Sequence, residues 1–321
     1  MLSRVADSLY WMARYLERAE HTARVLSVHL NLMLDHSSGS EEERWRRIVE
    51  TLDLPAVPAG AVLETQRMIQ TLTLDRETPA SIISAIISAL NNARQLREHI
   101  SSEMWGQLNR LYLRLREPET ASLLAADPQD LLRQIIDGVS LFHGVTLSTI
   151  SHGECWQFIE TGRYLERAGA VTELVGTHFR HFHRKKEEAI PPEDFMEWVG
   201  LLKACGAFEA YCNRYTADFQ PKLIAEFLLL DADFPKAVCY AAQTVDRSLQ
   251  RITDLSEGVP NPALHRISGK FASLLHYGQI DEILDGNLPA YLESVGSQCE
   301  QLHQAIYHTF VNFPVARAIA A

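Results

Sequence analysis

The N-terminal stretch of the chain carries apolar side chains at the spacing of a long α-helix. They recur every three or four residues and therefore form one stripe along the helix. The stripe consists of Val5, Leu9, Met12, Leu16, Ala19, Ala23, Leu26, Leu30 and Met33. The opposite face is also partly apolar and carries Tyr10, Trp11, Val25, Val28 and Leu32. Because a helix with two apolar faces is normally buried, the pattern predicts a central helix from about Ser3 to Asp35.

One segment of this helix occurs twice in the chain. Residues 14–19 read Arg-Tyr-Leu-Glu-Arg-Ala, and residues 163–168 repeat all six in the same order. The apolar stripe continues in register around the second copy, through Phe158, Leu165, Ala168, Thr172, Val175, Phe179 and Phe182. The repetition predicts a second long central helix, from about Gly153 to Lys186. It also predicts an internal duplication, with halves near 1–150 and 151–310.

The rest of the chain is typical of helices joined by short loops. Three helix starts are indicated, at Ser40, at Thr78-Pro79 and at Asp127-Pro128. The second start opens a long helix through Leu115, and the third opens a helix to about Ser148. Loops are predicted at 36–40 and 54–60. Further helices are predicted at about 191–216, 221–230, 234–256, 262–276, 279–285 and 289–311.

The predicted fold class follows from these elements. No alternating pattern typical of a β-strand occurs. The chain is therefore expected to be all-α, a multi-helix bundle that forms one domain over residues 1–310. Because Pro314 cannot continue a helix, residues 311–321 are expected to form a loose C-terminal tail.

Composition excludes several classes of protein. A net charge of −11 argues against a general nucleic-acid binder, which needs a basic surface. No apolar run approaches the roughly 18 residues of a membrane span, and early charges rule out a signal-peptide core. The five cysteines include no Cys-x-x-Cys pair, so reduced thiols are favoured over disulfides or zinc. A cytoplasmic protein is predicted, with no nucleic-acid or membrane partner.

The repeated segment supplies the strongest candidate chemistry. The first copy places Arg14, Glu17, Arg18 and His21 on one helix face, and the second places Arg163, Glu166 and Arg167 there. In one interpretation the two clusters form a structural lock, in which Glu17 pairs with Arg167 and Glu166 with Arg18. In the other they form an anion site, because four arginines against two glutamates leave a surplus of positive charge for a carboxylate or phosphate.

A second polar stretch follows at residues 92–105. It contains Arg94, Arg97, Glu98, Ser102 and Glu103, with Trp105 as an anchor. Arg97 falls on the apolar stripe of the predicted long helix, where an unpaired charge is very costly. The stretch is either a solvated face with a buried Arg97 or part of the same polar centre as the two clusters.

Other chemistries are disfavoured by the motifs that the chain lacks. A two-metal helical bundle uses Glu-x-x-His twice, and neither repeat helix contains it. No metal and no cofactor are therefore predicted. The chain also has no phosphate-binding Gly-rich loop, Gly-x-Ser-x-Gly elbow or His-Glu-x-x-His motif.

Several segments resemble the alpha-E domain family. They are residues 1–11 leading into 14–20, Asn-Ala-Arg at 92–94, Ile-Ser-Ser-Glu-Met-Trp at 100–105, and Glu-Phe-Leu-Leu-Leu-Asp at 226–231 with Asp-Phe-Pro at 233–235. The resemblance extends from Met1 to about residue 310. It implies an all-helical bacterial protein encoded beside a circularly permuted ATP-grasp protein, often with a transglutaminase-like protease. That neighbourhood implies ATP-dependent synthesis of peptide or amide bonds.

These observations lead to one expected function and two alternatives. The expected function is an accessory or co-catalytic subunit of an ATP-grasp system, whose Arg/Glu centre binds a carboxylate-bearing substrate or the partner. One alternative is an enzyme that uses Glu17 or Glu166 as a general acid-base, although neighbouring arginines lower a carboxyl pKa. The other is a structural adaptor whose charges only fix the packing of the repeats.

Overall fold

The computed structural model describes residues 1–34, 40–55, 63–183, 189–256 and 261–311, and every regular element in these ranges is helical. The all-α fold class is thus confirmed. The helices are α1 Ser3–Leu34, α2 Glu41–Thr51, α3 Thr65–Leu74, α4 Ile82–Arg94, α5 Ser102–Arg116, α6 Glu119–Ala126, α7 Pro128–Thr149, α8 Glu154–Phe182, α9 Phe195–Ala204, α10 Phe208–Tyr215, α11 Pro221–Leu230, α12 Val238–Leu255, α13 Pro262–His276, α14 Ile280–Asp285 and α15 Leu288–Ile306. A π-helical turn, Tyr307–Val311, follows α15.

The two helices that carry the repeated segment form the centre of the bundle, as predicted. Helix α1 packs against α8, α4, α7 and α9, while α8 packs against α1, α12 and α15. Leu9, Met12 and Leu16 of α1 are completely buried. One continuous hydrophobic core contains residues from Val5 to Ile306. The internal duplication itself stays a prediction.

Helices α1 and α8 lie side by side and run in the same direction. Gly162 of α8 contacts the backbone of Tyr10, Arg167 contacts Glu17 further along, and the C-terminal parts of both helices line the same pocket. A Cβ atom at Gly162 would overlap the carbonyl oxygen of Tyr10. The absence of a side chain at this position therefore allows the two helix backbones to approach closely.

Several helix starts were read correctly from local chemistry. Ser40 accepts a hydrogen bond from the Glu43 backbone and Glu43 returns one to Ser40, which is a capping box. The Asp127 side chain caps α7, with Pro128 in its first turn. Helices α11 and α13 begin and end at the predicted residues.

The predicted long helix from Thr78 to Leu115 is wrong. Helix α4 starts after Ser81, whose side chain caps it, and ends at Arg94. Helix α5 begins separately, because Ser101 accepts a hydrogen bond from the Met104 backbone and stops any continuation from α4. The apolar spacing runs through this break, which explains the error.

The segment predicted as one helix over 191–216 is also divided. Gly206 has a φ of +59° between α9 and α10, a conformation that glycine adopts without steric cost. Two short helices, α3 and α6, were not predicted. Predictions for residues 35–39, 56–60, 184–186 and 312–321 fall outside the described residues.

No helix in the described ranges is both long enough and apolar enough to span a lipid bilayer.

Replacing Gly162 by alanine tests the close approach of the central helices. The added methyl group collides with backbone that cannot move aside as a side chain can, so we expect a loss of about 3 kcal/mol in the free energy of unfolding. Urea denaturation followed by circular dichroism measures this. Gly169→Ala on the same helix meets no atom within 4 Å and is expected to stabilise the protein by about 1 kcal/mol. Equal effects of the two changes would contradict the explanation.

Candidate functional site

The parallel packing of α1 and α8 brings the two Arg-x-x-Glu-Arg segments face to face. Glu17 accepts two hydrogen bonds from Arg167, at 2.6 Å from Nε and 2.8 Å from Nη2. The two side chains are only 6% and 2% exposed. This bidentate geometry is the strongest arrangement for an arginine–carboxylate pair.

Glu166 is paired across the same interface in the reverse sense. Arg14 Nε donates to one of its carboxylate oxygens and Arg18 Nε to the other, both at 2.7 Å. The predicted pairs Glu17–Arg167 and Glu166–Arg18 are therefore both present. Each glutamate is neutralised by arginines of the other helix, which ties the register of α1 to that of α8.

Two further side chains complete the surroundings of Glu17. Arg163 Nε lies 3.7 Å from its carboxylate, and Arg163 also approaches Glu160 at 3.7 Å. His143 of α7 places Nε2 at 3.9 Å, without a hydrogen-bond partner. Burial, followed by the charge of Arg163, lowers the pKa of His143 to about 3. This imidazole is therefore neutral at physiological pH.

A turn before α12 closes the network on one side. The Asp231 carboxylate accepts hydrogen bonds from the backbone of Asp233 and Phe234, which fixes the turn. Pro235 then presents its carbonyl oxygen to Arg167 Nη1 at 2.9 Å, and Lys236 reaches Glu20 at 2.6 Å. The turn held by Asp231 thus places a carbonyl oxygen and a cation beside the buried charges.

The pKa values show that these carboxylates are held ionised. Burial by itself raises the pKa of Glu17, but the charge and hydrogen bonds of Arg167 outweigh it, and the net shift is downward. The same balance between burial and the two arginines lowers the pKa of Glu166. Burial also raises the pKa of Glu20, but the charges of Lys236 and Arg24 outweigh it, and the net shift of its pKa is downward.

The buried side of the centre also contains a set of metal-ligand atoms. Glu17, Glu20 and His143 each offer one ligand atom, and these atoms lie within 4.8 Å of one another. However, Arg167 already occupies both oxygens of Glu17, and one Glu20 oxygen accepts from both Arg24 and Lys236. Several buried cations in direct contact oppose the entry of a divalent ion, so electrostatics disfavours metal binding here.

The other side of the centre opens into a cleft of about 520 Å³. Its walls come from α1, α8, α15, the end of α2 and the segment before α4. They include Arg14, Arg18, His21, Glu166 and His303. The volume lies in the range of small-molecule sites, about 300–1,000 Å³. The Arg/Glu centre, which the two Arg-x-x-Glu-Arg segments form together, therefore has two parts. Its closed half surrounds Glu17, and its open half surrounds Glu166.

A chain of hydrogen bonds positions Arg14 at the cleft. Its Nη1 donates to the Tyr10 hydroxyl at 3.2 Å and approaches His303 Nδ1 at 3.1 Å. The Tyr10 hydroxyl lies 2.9 Å from the same Nδ1. Because arginine can only donate, His303 Nδ1 accepts and its proton is carried by Nε2. Burial and Arg14 lower the pKa of His303, which keeps the ring neutral.

The stretch at 92–105 does not join this centre, contrary to one of the predicted alternatives. Arg94, Arg97, Glu98, Ser102 and Glu103 are all exposed. Arg94 bonds Asn91, Arg97 stacks on Trp105 with its guanidinium carbon 4.4 Å from the ring centroid, and Glu103 bonds Ser102. The break between α4 and α5 turns these side chains away from the core. The other alternative assumed that Arg97 is buried, and that assumption is also wrong.

Comparison with known proteins agrees with the repeated motif. A sequence model described as an alpha-helical domain with a conserved ER motif, Alpha-E, matches residues 1–311. The chain belongs to the Alpha-E family. The Glu-Arg pairs at 17–18 and 166–167 both lie at the interface just described.

The Alpha-E chain is also similar to uncharacterized mycobacterial proteins. Mb2597 of Mycobacterium bovis and Rv2567 of Mycobacterium tuberculosis are each 24% identical over 267 residues. The match covers 77% of this chain but only 29% of each relative. The chain thus spans less than a third of the length of these relatives. No solved structure shows a significant match.

Sequence reasoning missed several residues of the Alpha-E site. These residues are Tyr10, Glu20, Asp53, His143, Lys236, Cys299 and His303. Lys236 had a local signal, because it follows the Asp-Phe-Pro turn that carries the family resemblance. The two histidines had none, since isolated histidines on apolar helices are common in cores.

Removing the charge of Glu17 tests the closed half. Glu17→Gln leaves Arg167 buried without its counter-charge, so we expect a loss of about 3–5 kcal/mol in the free energy of unfolding. Glu42→Gln is the matched control. It breaks an exposed pair with Arg46 and is expected to change stability by less than about 1 kcal/mol. If urea denaturation showed only a small change in the free energy of unfolding for both substitutions, the structural role of the Glu17–Arg167 pair would be contradicted.

The pH dependence of stability tests the buried histidines. Burial lowers the pKa of His21 to about 4 and the pKa of His29, His143 and His178 to about 3. The unfolded chain, with histidine pKa values of about 6.5, binds more protons, so stability is complete above that pH and falls toward pH 4. Each histidine adds up to about 1.4 kcal/mol per pH unit to this slope.

Urea titrations between pH 7 and 5 measure the slope. His29→Gln is expected to reduce it by the share of one histidine, whereas His152→Gln, at an exposed position, is expected to leave it unchanged. A stability that is flat over this range would show that the buried rings do not control it.

Proposed function

We propose that this Alpha-E protein is an accessory or co-catalytic subunit of an ATP-grasp-dependent system that makes or modifies peptide or amide bonds. In this proposal the open half of the Arg/Glu centre binds a carboxylate of the substrate or of the partner. The proposal includes a cytoplasmic location, where ATP is available, and a transglutaminase-like protease as a further component. The identity of the partners rests on the family resemblance, which is an associational argument.

Arg18 is the observation that carries the binding role. Its Nε atom is used by Glu166, but no hydrogen bond within the described residues uses either of its Nη groups. The side chain is 35% exposed and lines the cleft, whereas its counterpart Arg167 is 2% exposed and saturated. A fixed guanidinium with two free terminal groups suits a carboxylate ligand.

The length of the relatives supports a function alongside another protein unit. In the mycobacterial proteins the matched region is 29% of the chain, so most of each polypeptide lies outside it. A domain that occurs joined to a larger remainder is expected to act together with it. The length of the relatives therefore supports the proposal that the present chain has a partner. The chemistry of that partner is inferred from the family resemblance alone.

The proposal that the chain is itself an enzyme is less well supported. Glu17 and Glu166 both have lowered pKa values, so neither holds a proton for general acid catalysis at neutral pH. Burial also raises the pKa of Cys299 in the cleft to about 12, and its thiol is therefore a poor nucleophile.

Only the closed half of the Arg/Glu centre favours the structural-adaptor alternative. The Glu17–Arg167 pair is sealed from solvent and satisfied on both sides, as a packing element requires. An adaptor does not explain the free terminal groups of Arg18. The two roles are therefore separable by substitution.

Arg18→Gln tests the proposed role in the assembled system. The wild-type chain is expected to co-purify with an ATP-grasp protein of the same genome and to raise its release of ADP in the presence of substrate. Because a charged hydrogen-bonding group contributes about 1.5–3 kcal/mol, the variant is expected to lose about tenfold or more of this stimulation while remaining folded, since Arg14 still pairs with Glu166.

Arg46→Gln, which removes an exposed arginine elsewhere, serves as the control and is expected to behave like wild type. Full stimulation by Arg18→Gln would favour the adaptor. Recovery of the wild-type chain without an ATP-grasp protein would overturn the proposed partner.

A further inference from the structure

The charge that lines the cleft is not simply positive. Arg14 and Arg18 face it, together with the carboxylates of Asp53, Glu166, Glu173 and Glu300. Glu166 is neutralised by the two arginines, so three carboxylates remain. A ligand that carries only negative charge matches one part of this surface and is repelled by the rest.

Opposite charges are separated along the cleft. One end holds Arg14 and Arg18 against Glu166 of α8. The other end holds Glu173, two helical turns further along α8, where Arg180 joins it to Glu50 at the end of α2. Asp53 follows directly after α2 and therefore lies at this second end. The cleft thus has Arg14 and Arg18 at one end, where Glu300 lies one turn from His303 on α15, and Glu173 and Asp53 at the other.

Arg18 and Asp53 each keep atoms that no side chain in the described ranges binds; for Arg18 these are its two Nη groups, since its Nε contacts Glu166. Glu173 is paired with Arg180 at 3.1 Å, and Glu300 accepts a hydrogen bond from Gln304. The exposed Asp53 carboxylate has no side-chain partner among the described residues. Its backbone has a φ of 50°, a left-handed conformation that aspartate tolerates better than most residues, and its N–H bonds Glu50. The backbone of Asp53 is therefore fixed beside the cleft, and its carboxylate is accessible to a ligand.

The separation of the two ends sets the size of the ligand. Glu166, which Arg18 contacts, and Glu173, which Arg180 joins to Glu50, are seven residues apart on α8, so these two ends of the cleft lie on the order of 10 Å apart at 1.5 Å per residue. An extended peptide advances about 3.3–3.6 Å per residue, so three residues cover this distance. A single amino acid, whose two charges are adjacent, is too short.

From this arrangement we infer that the cleft binds a short peptide of about three residues in its zwitterionic form. Its carboxylate pairs with Arg18 and its terminal ammonium with Asp53. The inference rests on the proposed function, since it names the substrate class of the carboxylate site. It adds a second recognition group, Asp53, and a preferred length.

Calorimetric titration of the purified full chain tests the inference with trialanine as the probe. Trialanine is expected to bind about tenfold more tightly than N-acetyl-trialanine, trialanine amide or free alanine, because each lacks one charge or the span between them. Asp53→Asn, which retains tolerance of the left-handed backbone, is expected to lower affinity for trialanine about tenfold and to leave N-acetyl-trialanine unaffected. Arg18→Gln is expected to weaken both, and Glu42→Gln neither.

The outcomes separate the inference from the function on which it rests. Equal binding of trialanine and its N-acetyl form, both dependent on Arg18, would overturn the role of Asp53 and leave the carboxylate site in place. Tighter binding of alanine than of trialanine would overturn the preferred length. Binding of trialanine that ignores both Arg18→Gln and Asp53→Asn, or no binding at all, would overturn the peptide site.

Discussion

The buried bidentate pair between Glu17 and Arg167 is the interaction on which the rest of the structure depends. Neither charge can remain in the core without the other, because an orphaned buried ion costs several kcal/mol. The two residues belong to different helices, so the pair fixes how α1 lies along α8. Gly162 permits the required closeness by leaving room for the Tyr10 carbonyl. The other helices then pack around a central pair whose register is already set.

The two copies of one hexapeptide have different surroundings and therefore different chemistry. Around Glu17 the turn at 231–236 adds a carbonyl and a lysine, which complete the coordination of Arg167 and Glu20 and exclude a ligand. Around Glu166 the corresponding space is bounded by α15 and the end of α2, and it stays open as a cleft. The Alpha-E motif thus serves stability on one side, and on the other it presents Arg18 for the binding role that we propose.

Local chemistry predicted most of the helices, and its failures have one cause. Ser40 and Asp127 were read correctly because a cap depends only on neighbouring residues. The residues from 82 to 115 were read as one helix because their apolar spacing continues across the turn at 95–101. Periodicity reports which positions are buried. It does not report where a serine cap ends one helix and starts another.

The amino-acid sequence by itself determined the all-α class and the two central helices, and it offered the cross-pairing of Glu17 with Arg167 and Glu166 with Arg18 as one of two interpretations. The class and the helices follow from apolar periodicity, which can be read within short segments, whereas the cross-pairing joins residues about 150 positions apart and needed the tertiary structure to decide it. Only the tertiary structure decided which copy is sealed and which is open. His143, Lys236, His303 and Asp53 come from four separate segments, and no local pattern places them beside the motif. Their positions follow from the packing of α7, α12, α15 and the end of α2 on the central pair.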